Sequence, residues 1–293
     1  MSQTRLHFDM PQDAAVKAAT RLEAEFEADG FPVSAFEVDE KTGTWNISVY
    51  VPAGETGNAG ARILEVLGED AHGKLQHEEL EDGGWVEKTL SELAPVRAGR
   101  FVVHGSHDAG CASANEHAIL IDAGLAFGTG HHGTTAGCLE MIGDELKRRQ
   151  PVNALDLGTG SGVLAIAIAK ATRISVLASD IDPVSVEVTK QNARINKVGN
   201  LVEAIPAVGF NHVRFGQRVP FDLIVANILA GPLQKLAPAL AAHLGRGGSV
   251  ILSGLLPHQQ ARIVAAYRAQ GLRLDRAIIR NGWLTLLMRD MRA

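Results

Sequence analysis

The sequence is poor in cysteine and has no long hydrophobic run. Its 293 residues include 2 cysteines, Cys111 and Cys138, too few and too far apart for a disulfide framework or a metal knuckle, and both are expected to be reduced. The apolar runs fall well short of the ~18 residues that a membrane helix needs, so a soluble protein is expected. Residues 1–9 lack the apolar stretch that follows the charged start of a signal peptide, which points to a cytoplasmic address. No Gly-Lys-Ser/Thr occurs, which excludes a Walker loop. A Gly-x-Ser-x-Gly nucleophile elbow is also missing, because Ser161 directly follows Gly160 and belongs to a glycine turn. No repeat or low-complexity tract is present. What remains is ordinary for a globular chain, with 46% hydrophobic and 21% charged residues, and a length that suggests two domains.

The net charge of −5 hides a division. Residues 1–95 hold 7 Lys/Arg against 19 Asp/Glu, a net of −12, and the remainder holds 21 against 14, a net of +7. An acidic module repels nucleic acid and attracts a basic partner, with steering that salt weakens. Simple solvation of a small domain is the plain alternative.

Polarity alternates over Thr4 to Asp9 as in a strand, and Pro11 to Glu27 spaces its apolar residues like a helix. Phe31 to Val38 and Thr44 to Val51 read as a hairpin, Ala61 to Leu67 as a helix ended by Gly68, and a last strand falls between Leu75 and Val86. The order βαββαβ suggests a small ferredoxin-like α+β domain. Ser91 to Arg100 is the best candidate linker.

From Val152 the pattern becomes strand, turn and helix in alternation. Strands are expected at Val152 to Leu157, Ile174 to Ala178, Leu201 to Ile205, Phe221 to Ala226 and Ser249 to Leu252. Helices are expected at Val163 to Ala171, Val184 to Asn196, Leu233 to His243 and His258 to Gln270. Leu274 to Ile279 and Trp283 to Leu287, split by Arg280-Asn281-Gly282, close the chain as a hairpin. This is an α/β pattern with a doubly wound parallel sheet and an antiparallel edge.

The chemistry centres on Asp156-Leu-Gly158-Thr-Gly160-Ser-Gly162, where a strand hands over to a helix and backbone can approach a ligand closely. Compared with the Gly-x-Gly-x-x-Gly of dehydrogenases, the third glycine falls one residue early. Asp180 follows Gly158 by 22 residues, at the end of the second strand, where a carboxylate can accept from both ribose hydroxyls. Strand, glycines, helix and Asp180 together indicate a bound nucleoside. His104, His107, Cys111 and His117 crowd together, but their spacing fits no familiar zinc pattern, and no metal is expected. His131 and His132 read as loop residues. Trp45 and Trp85 suit either the core or a partner surface.

These features resemble class I methyltransferases that use S-adenosylmethionine, whose fold is a doubly wound seven-stranded sheet ending in a reversed hairpin. Leu125-Ala-Phe-Gly-Thr-Gly-His-His-Gly-Thr-Thr135, Ala178-Ser-Asp-Ile-Asp-Pro183 and Val225-Ala-Asn-Ile-Leu-Ala-Gly-Pro-Leu233 are together similar to the ribosomal protein L11 methyltransferases (PrmA). The likeness runs from about Trp85 to the C-terminus. Charge and element order make residues 1–90 an expected acidic substrate-recognition domain and 91–104 a linker, and the resemblance implies 105–293 as the methyltransferase domain. It also implies S-adenosylmethionine as cofactor, contacted by Thr135, Gly158, Gly160, Asp180 and Asn227, with Asn227 beside the methyl group as the catalytic residue. The loop differs from the common family pattern at His131 and Gly133, where Thr and Pro are usual.

The resemblance implies transfer of methyl groups to lysine side chains and the N-terminal amine of a basic ribosomal protein. No nucleic-acid or membrane substrate is expected, and the protein is expected to be a monomer. Enzymes that methylate planar amides or bases often carry Asn-Pro-Pro-Tyr where this chain has Asn227-Ile-Leu-Ala230, which favours a flexible aliphatic amine. Two rivals are lysine methylation of another protein, such as the β subunit of electron-transfer flavoprotein, and a non-catalytic module that binds a nucleoside metabolite.

Overall fold

The computed structural model describes residues 3–26, 29–39, 44–68, 71, 73–80, 95–121 and 133–291. They fall into two compact units, residues 1–85 and 86–293.

The first unit runs β1 (Gln3–Pro11), α1 (Gln12–Phe26), β2 (Val33–Asp39), β3 (Thr44–Pro52), α2 (Thr56–Leu67), β4 (Gln76–Leu80). Its antiparallel sheet has the order β2-β3-β1-β4, the ferredoxin-like arrangement that the order of elements predicts. Side chains alternate across a strand, so Leu6, Phe8 and Met10 of β1 and Ile47, Val49 and Val51 of β3 meet Leu22 and Phe26 of α1 and Ile63 of α2 in one core. Trp45 belongs to that core. On the opposite face Arg5 donates to Ser48 Oγ at 2.8 Å and to Asn46 Oδ1 at 2.7 Å, and pairs with Glu78 at 3.0 Å. Trp85 and residues 91–94 lie outside the described residues.

The expected linker of 91–104 is strand over much of its length. β5 (Val96–Ala98) and β6 (Phe101–His104) pair antiparallel, and β7 (His117–Leu120) runs parallel beside β6. Ala98, Phe101, Val103 and Ile119 are buried with Leu139 and Ala154 in one apolar cluster. Strands of three and four residues are too short for alternation to reveal them in sequence.

The larger sheet has the order β10-β9-β8-β11-β12-β14-β13, built from β8 (Ala154–Leu157), β9 (Val176–Asp180), β10 (Val202–Pro206), β11 (Phe221–Asn227), β12 (Leu244–Leu255), β13 (Leu272–Arg280) and β14 (Trp283–Asp290). All pairs are parallel except those of β14, which is antiparallel to both β12 and β13. Helices α3 (Gly133–Arg148), α4 (Val163–Thr172), α5 (Pro183–Ile195), α6 (Val213–Arg218), α7 (Ala230–His243) and α8 (Gln260–Arg268) complete the unit.

Alternate residues of each central strand enter different cores. Ala154, Val225 and Ile251 pack with α4 on one face, and Leu155, Ile224 and Val250 pack with α7 and α8 on the other. Such two-sided burial explains the continuous apolar runs. The β13–β14 hairpin turns at Asn281 (φ 47°) and Gly282 (φ 78°), the left-handed pair that a tight antiparallel turn requires. No helix among the described residues is long and apolar enough to cross a membrane.

Candidate functional site

The parallel strands end together, and the site is built where β8 gives way to α4. Gly158, Gly160 and Gly162 have φ of 75°, 53° and 84°, a backbone course that side chains resist. Space excludes them as well: a Cβ at Gly158 would lie 2.3 Å from Ile228 Cγ2, and one at Gly162 would lie 2.9 Å from Thr189 Cγ2. The amides of Gly158 and Thr159 both donate to the Ser179 carbonyl, at 2.8 and 3.0 Å, which ties the turn to the end of β9.

Asp180 projects from that end. Its Oδ2 accepts from the Gly160 amide at 2.8 Å, and its Oδ1 accepts from the Asp182 amide at 3.0 Å. With one backbone donor on each oxygen, the carboxylate is fixed in place and keeps further lone pairs for two neighbouring hydroxyls. Asp182 then caps α5 by accepting from the Val184 and Ser185 amides, with Pro183 in the first turn, as its sequence suggests. The Ala207 amide donates to the Asp180 carbonyl at 2.7 Å. The residues next to this bond, Ile181 and Val208, are 70% and 66% exposed. They are the large apolar side chains that a planar aromatic group could cover.

Asp156 lies fully buried beneath the turn. Its Oδ2 accepts from Thr159 Oγ1 at 2.8 Å and from the Ala165 amide at 3.0 Å, while Oδ1 has no partner among the described residues. Burial raises its carboxyl to about 6, outweighing these two hydrogen bonds.

Strand β11, next to β8, ends at Asn227, in register with Ser253 of β12. Asn227 Nδ2 donates to Thr134 Oγ1 at 3.4 Å, which leaves the carboxamide oxygen a free acceptor among the described residues. Thr134 and Thr135 lie in the first turn of α3. Thr135 is buried, and its Oγ1 has no partner among the described residues. Gly133 sits against the hairpin, where a Cβ would come within 2.3 Å of the Arg280 carbonyl oxygen.

Direct hydrogen bonds or contacts thus link Gly160 to Asp180, Gly158 to Ile228, and Asn227 to the residue before Thr135. Residues 122–132, which include most of the Leu125–Thr135 motif and both His131 and His132, lie outside the described residues. Sequence reasoning missed Thr134, Ile181, Val208 and Ser253. Only Ile181 left a local signal, an apolar residue between the carboxylates Asp180 and Asp182. His104 hydrogen-bonds the Gly105 carbonyl, His107 pairs with Asp108, and His117 packs against the Phe101 ring. Among the described residues no group of three His, Cys, Asp or Glu side chains is placed to hold a metal.

A fixed carboxylate with spare lone pairs, a glycine turn beside it, exposed apolar side chains and a buried hydroxyl without a partner among the described residues suit the ribose, the methionine portion, the adenine and the polar tail of S-adenosylmethionine. Together with the sheet order and its reversed seventh strand, this defines a class I, S-adenosylmethionine-dependent methyltransferase. The family model described as ribosomal protein L11 methyltransferase (PrmA) matches residues 14–291. The chain belongs to that family. A ribosomal protein L11 methyltransferase of Mesorhizobium japonicum is 50% identical over 98% of this chain and 99% of its own length. One from Chelativorans sp. is also 50% identical, over 99% of this chain and all of its own. The crystal structure of a ribosomal protein L11 methylase from Lactobacillus delbrueckii subsp. bulgaricus is 32% identical, with a TM-score of 0.60 over 68% of this chain and 100% of that one.

Proposed function

We infer that this protein methylates amino groups of ribosomal protein L11, lysine side chains and the N-terminal amine, in the cytoplasm. The observation that carries this reading is the orientation of Asn227, whose amide nitrogen is engaged by Thr134 and whose oxygen is left as an acceptor at the end of β11. When bound, S-adenosylmethionine supplies a methyl group on an excellent sulfonium leaving group. The chain's own task is to bring an amine lone pair into line with it.

A lysine amine has an unperturbed pKa near 10.4, so presenting it neutral at pH 7 costs roughly 4.6 kcal/mol. Desolvation of the amine in the site lowers that cost. Asn227 Oδ1 accepts one amine N–H and so aims the lone pair. Asp180 holds the ribose, Gly158 and Gly160 let backbone approach the cofactor, and the Thr135 hydroxyl takes its polar tail. The first unit recruits the substrate: residues 1–85 hold 6 Lys/Arg against 17 Asp/Glu, a net of −11, which suits a basic ribosomal protein and disfavours nucleic acid. Names of relatives that match 98% or more of the chain support the same substrate.

The test is intact-mass measurement of purified L11 incubated with the protein and S-adenosylmethionine. Mass gains in steps of one methyl group on L11 are expected. An L11 mass that stays unchanged while the protein binds S-adenosylmethionine refutes the reading.

A further inference from the structure

Behind Asn227 lies a buried polar chain that touches neither the glycine turn nor Asp180. Thr285 of β14 and Ser253 of β12 are both buried, with their hydroxyl oxygens 2.9 Å apart. Ser253 Oγ also lies 3.3 Å from the Thr134 carbonyl oxygen and 3.4 Å from that of Leu284. Each hydroxyl carries one proton, so a consistent arrangement has Thr285 donating to Ser253 and Ser253 donating to the carbonyls. Thr134 thereby bridges two adjacent strand ends, with its carbonyl held by Ser253 and its hydroxyl by Asn227.

The approach of α3 that makes this possible is written in glycine. A Cβ at Gly137 would lie 2.3 Å from Thr285 Oγ1, and one at Gly133 equally close to the Arg280 carbonyl oxygen. These positions are four apart and share a helix face. Farther along α3, Glu140 pairs with Arg280, Asp144 with Arg276, and Glu145 with Arg289. The helix is clamped to the hairpin along its length, and the hydroxyl chain sets its first turn.

We propose that Ser253 and Thr285 are positioning residues for methyl transfer: they hold Thr134 so that it orients the Asn227 carboxamide with its oxygen toward the substrate amine. The inference rests on the reading of Asn227 above. Removing either hydroxyl frees the first turn of α3 and lets the carboxamide rotate, a small displacement of the kind that slows a reaction more than it weakens binding.

The experiment compares Ser253→Ala, Thr285→Val, Thr285→Ser, Asn227→Ala and the double variant Asn227→Ala with Ser253→Ala. It measures kcat on L11 and the Kd of S-adenosylhomocysteine by calorimetry. Ser253→Ala and Thr285→Val are expected to lower kcat about tenfold with Kd within about twofold, and Thr285→Ser, which keeps the hydroxyl, to stay close to wild type. With Asn227 already removed, Ser253→Ala should cost less than about twofold more, because residues acting through one another are not additive. Parallel losses in kcat and affinity, a Thr285→Ser as slow as Thr285→Val, or a full second tenfold loss in the double variant overturns the proposal. Asn227→Ala with wild-type kcat refutes the underlying reading itself; a slow Asn227→Ala beside a fast Ser253→Ala refutes only the positioning role.

Discussion

Replacing Asp156 by asparagine removes a charge that the fold buries at a cost. In the folded protein its carboxyl is pushed up to about 6 from an ordinary 3.8, mainly by burial, and the difference corresponds to about 3 kcal/mol. The sign follows from the protons bound. Between these two values the folded state keeps the proton that the unfolded chain has released, so stability falls as pH rises through the window. The penalty is complete above about pH 7 and vanishes below about pH 3. Asparagine keeps an acceptor for Thr159 and the Ala165 amide but carries no charge, so Asp156→Asn should gain on the wild type as pH rises. Urea unfolding of both proteins without cofactor should show the difference moving in the variant's favour by about 2 kcal/mol between pH 4.5 and pH 8. A difference that stays flat, or moves the other way, refutes the claim that desolvation dominates at this carboxylate.

Asp180→Ala should weaken S-adenosylmethionine binding at least about 100-fold by calorimetry, since two hydrogen bonds to a charged group contribute roughly 1.5–3 kcal/mol each; a loss below tenfold contradicts its assignment to the ribose. Gly158→Ala combines a φ of 75° with a Cβ only 2.3 Å from Ile228 Cγ2, and thermal melts should show a loss of about 2–4 kcal/mol. Adding Ile228→Ala should relieve the clash but leave the backbone strain, so partial recovery is the expected result. Raising the salt from about 0.01 M to 1 M shortens the screening length from about 30 to 3 Å. It should therefore raise the KM for L11 while leaving cofactor affinity within about twofold, and an unchanged KM counts against recruitment by the acidic unit.

The parts legible in the sequence were those governed by neighbouring residues. The apolar strand before Gly158, the Asp182-Pro183 helix start and the Asn281-Gly282 turn each carry their cause within a few positions, and each forms as expected. The ferredoxin-like order of the first unit followed from alternation in β1 and from β-branched and aromatic residues flanking a turn in β2 and β3, strands of seven to nine residues. The strands β5, β6 and β7 were missed, being too short to show a period. β12 runs from Leu244 to Leu255, well beyond the apolar Ser249 to Leu252, because its pairing with β11 and β14 continues through bulges. Of the candidate site, the glycine turn and Asp180 were legible from the order of strand, glycines, helix and carboxylate. Thr134 and Ser253 could not, since the contacts that give them a role join residues 93 and 119 positions apart.

The glycine face of α3 is made for strands that are synthesised much later. Glu140 finds Arg280 across 140 positions, and Glu145 finds Arg289 across 144, so a nascent chain that has already produced the nucleoside-binding turn still lacks the wall that aligns Thr134. Contacts of such long range slow folding. Competence to receive the methyl donor in working order therefore arrives late in translation, after the hairpin has docked, whereas the ferredoxin-like module can fold long before.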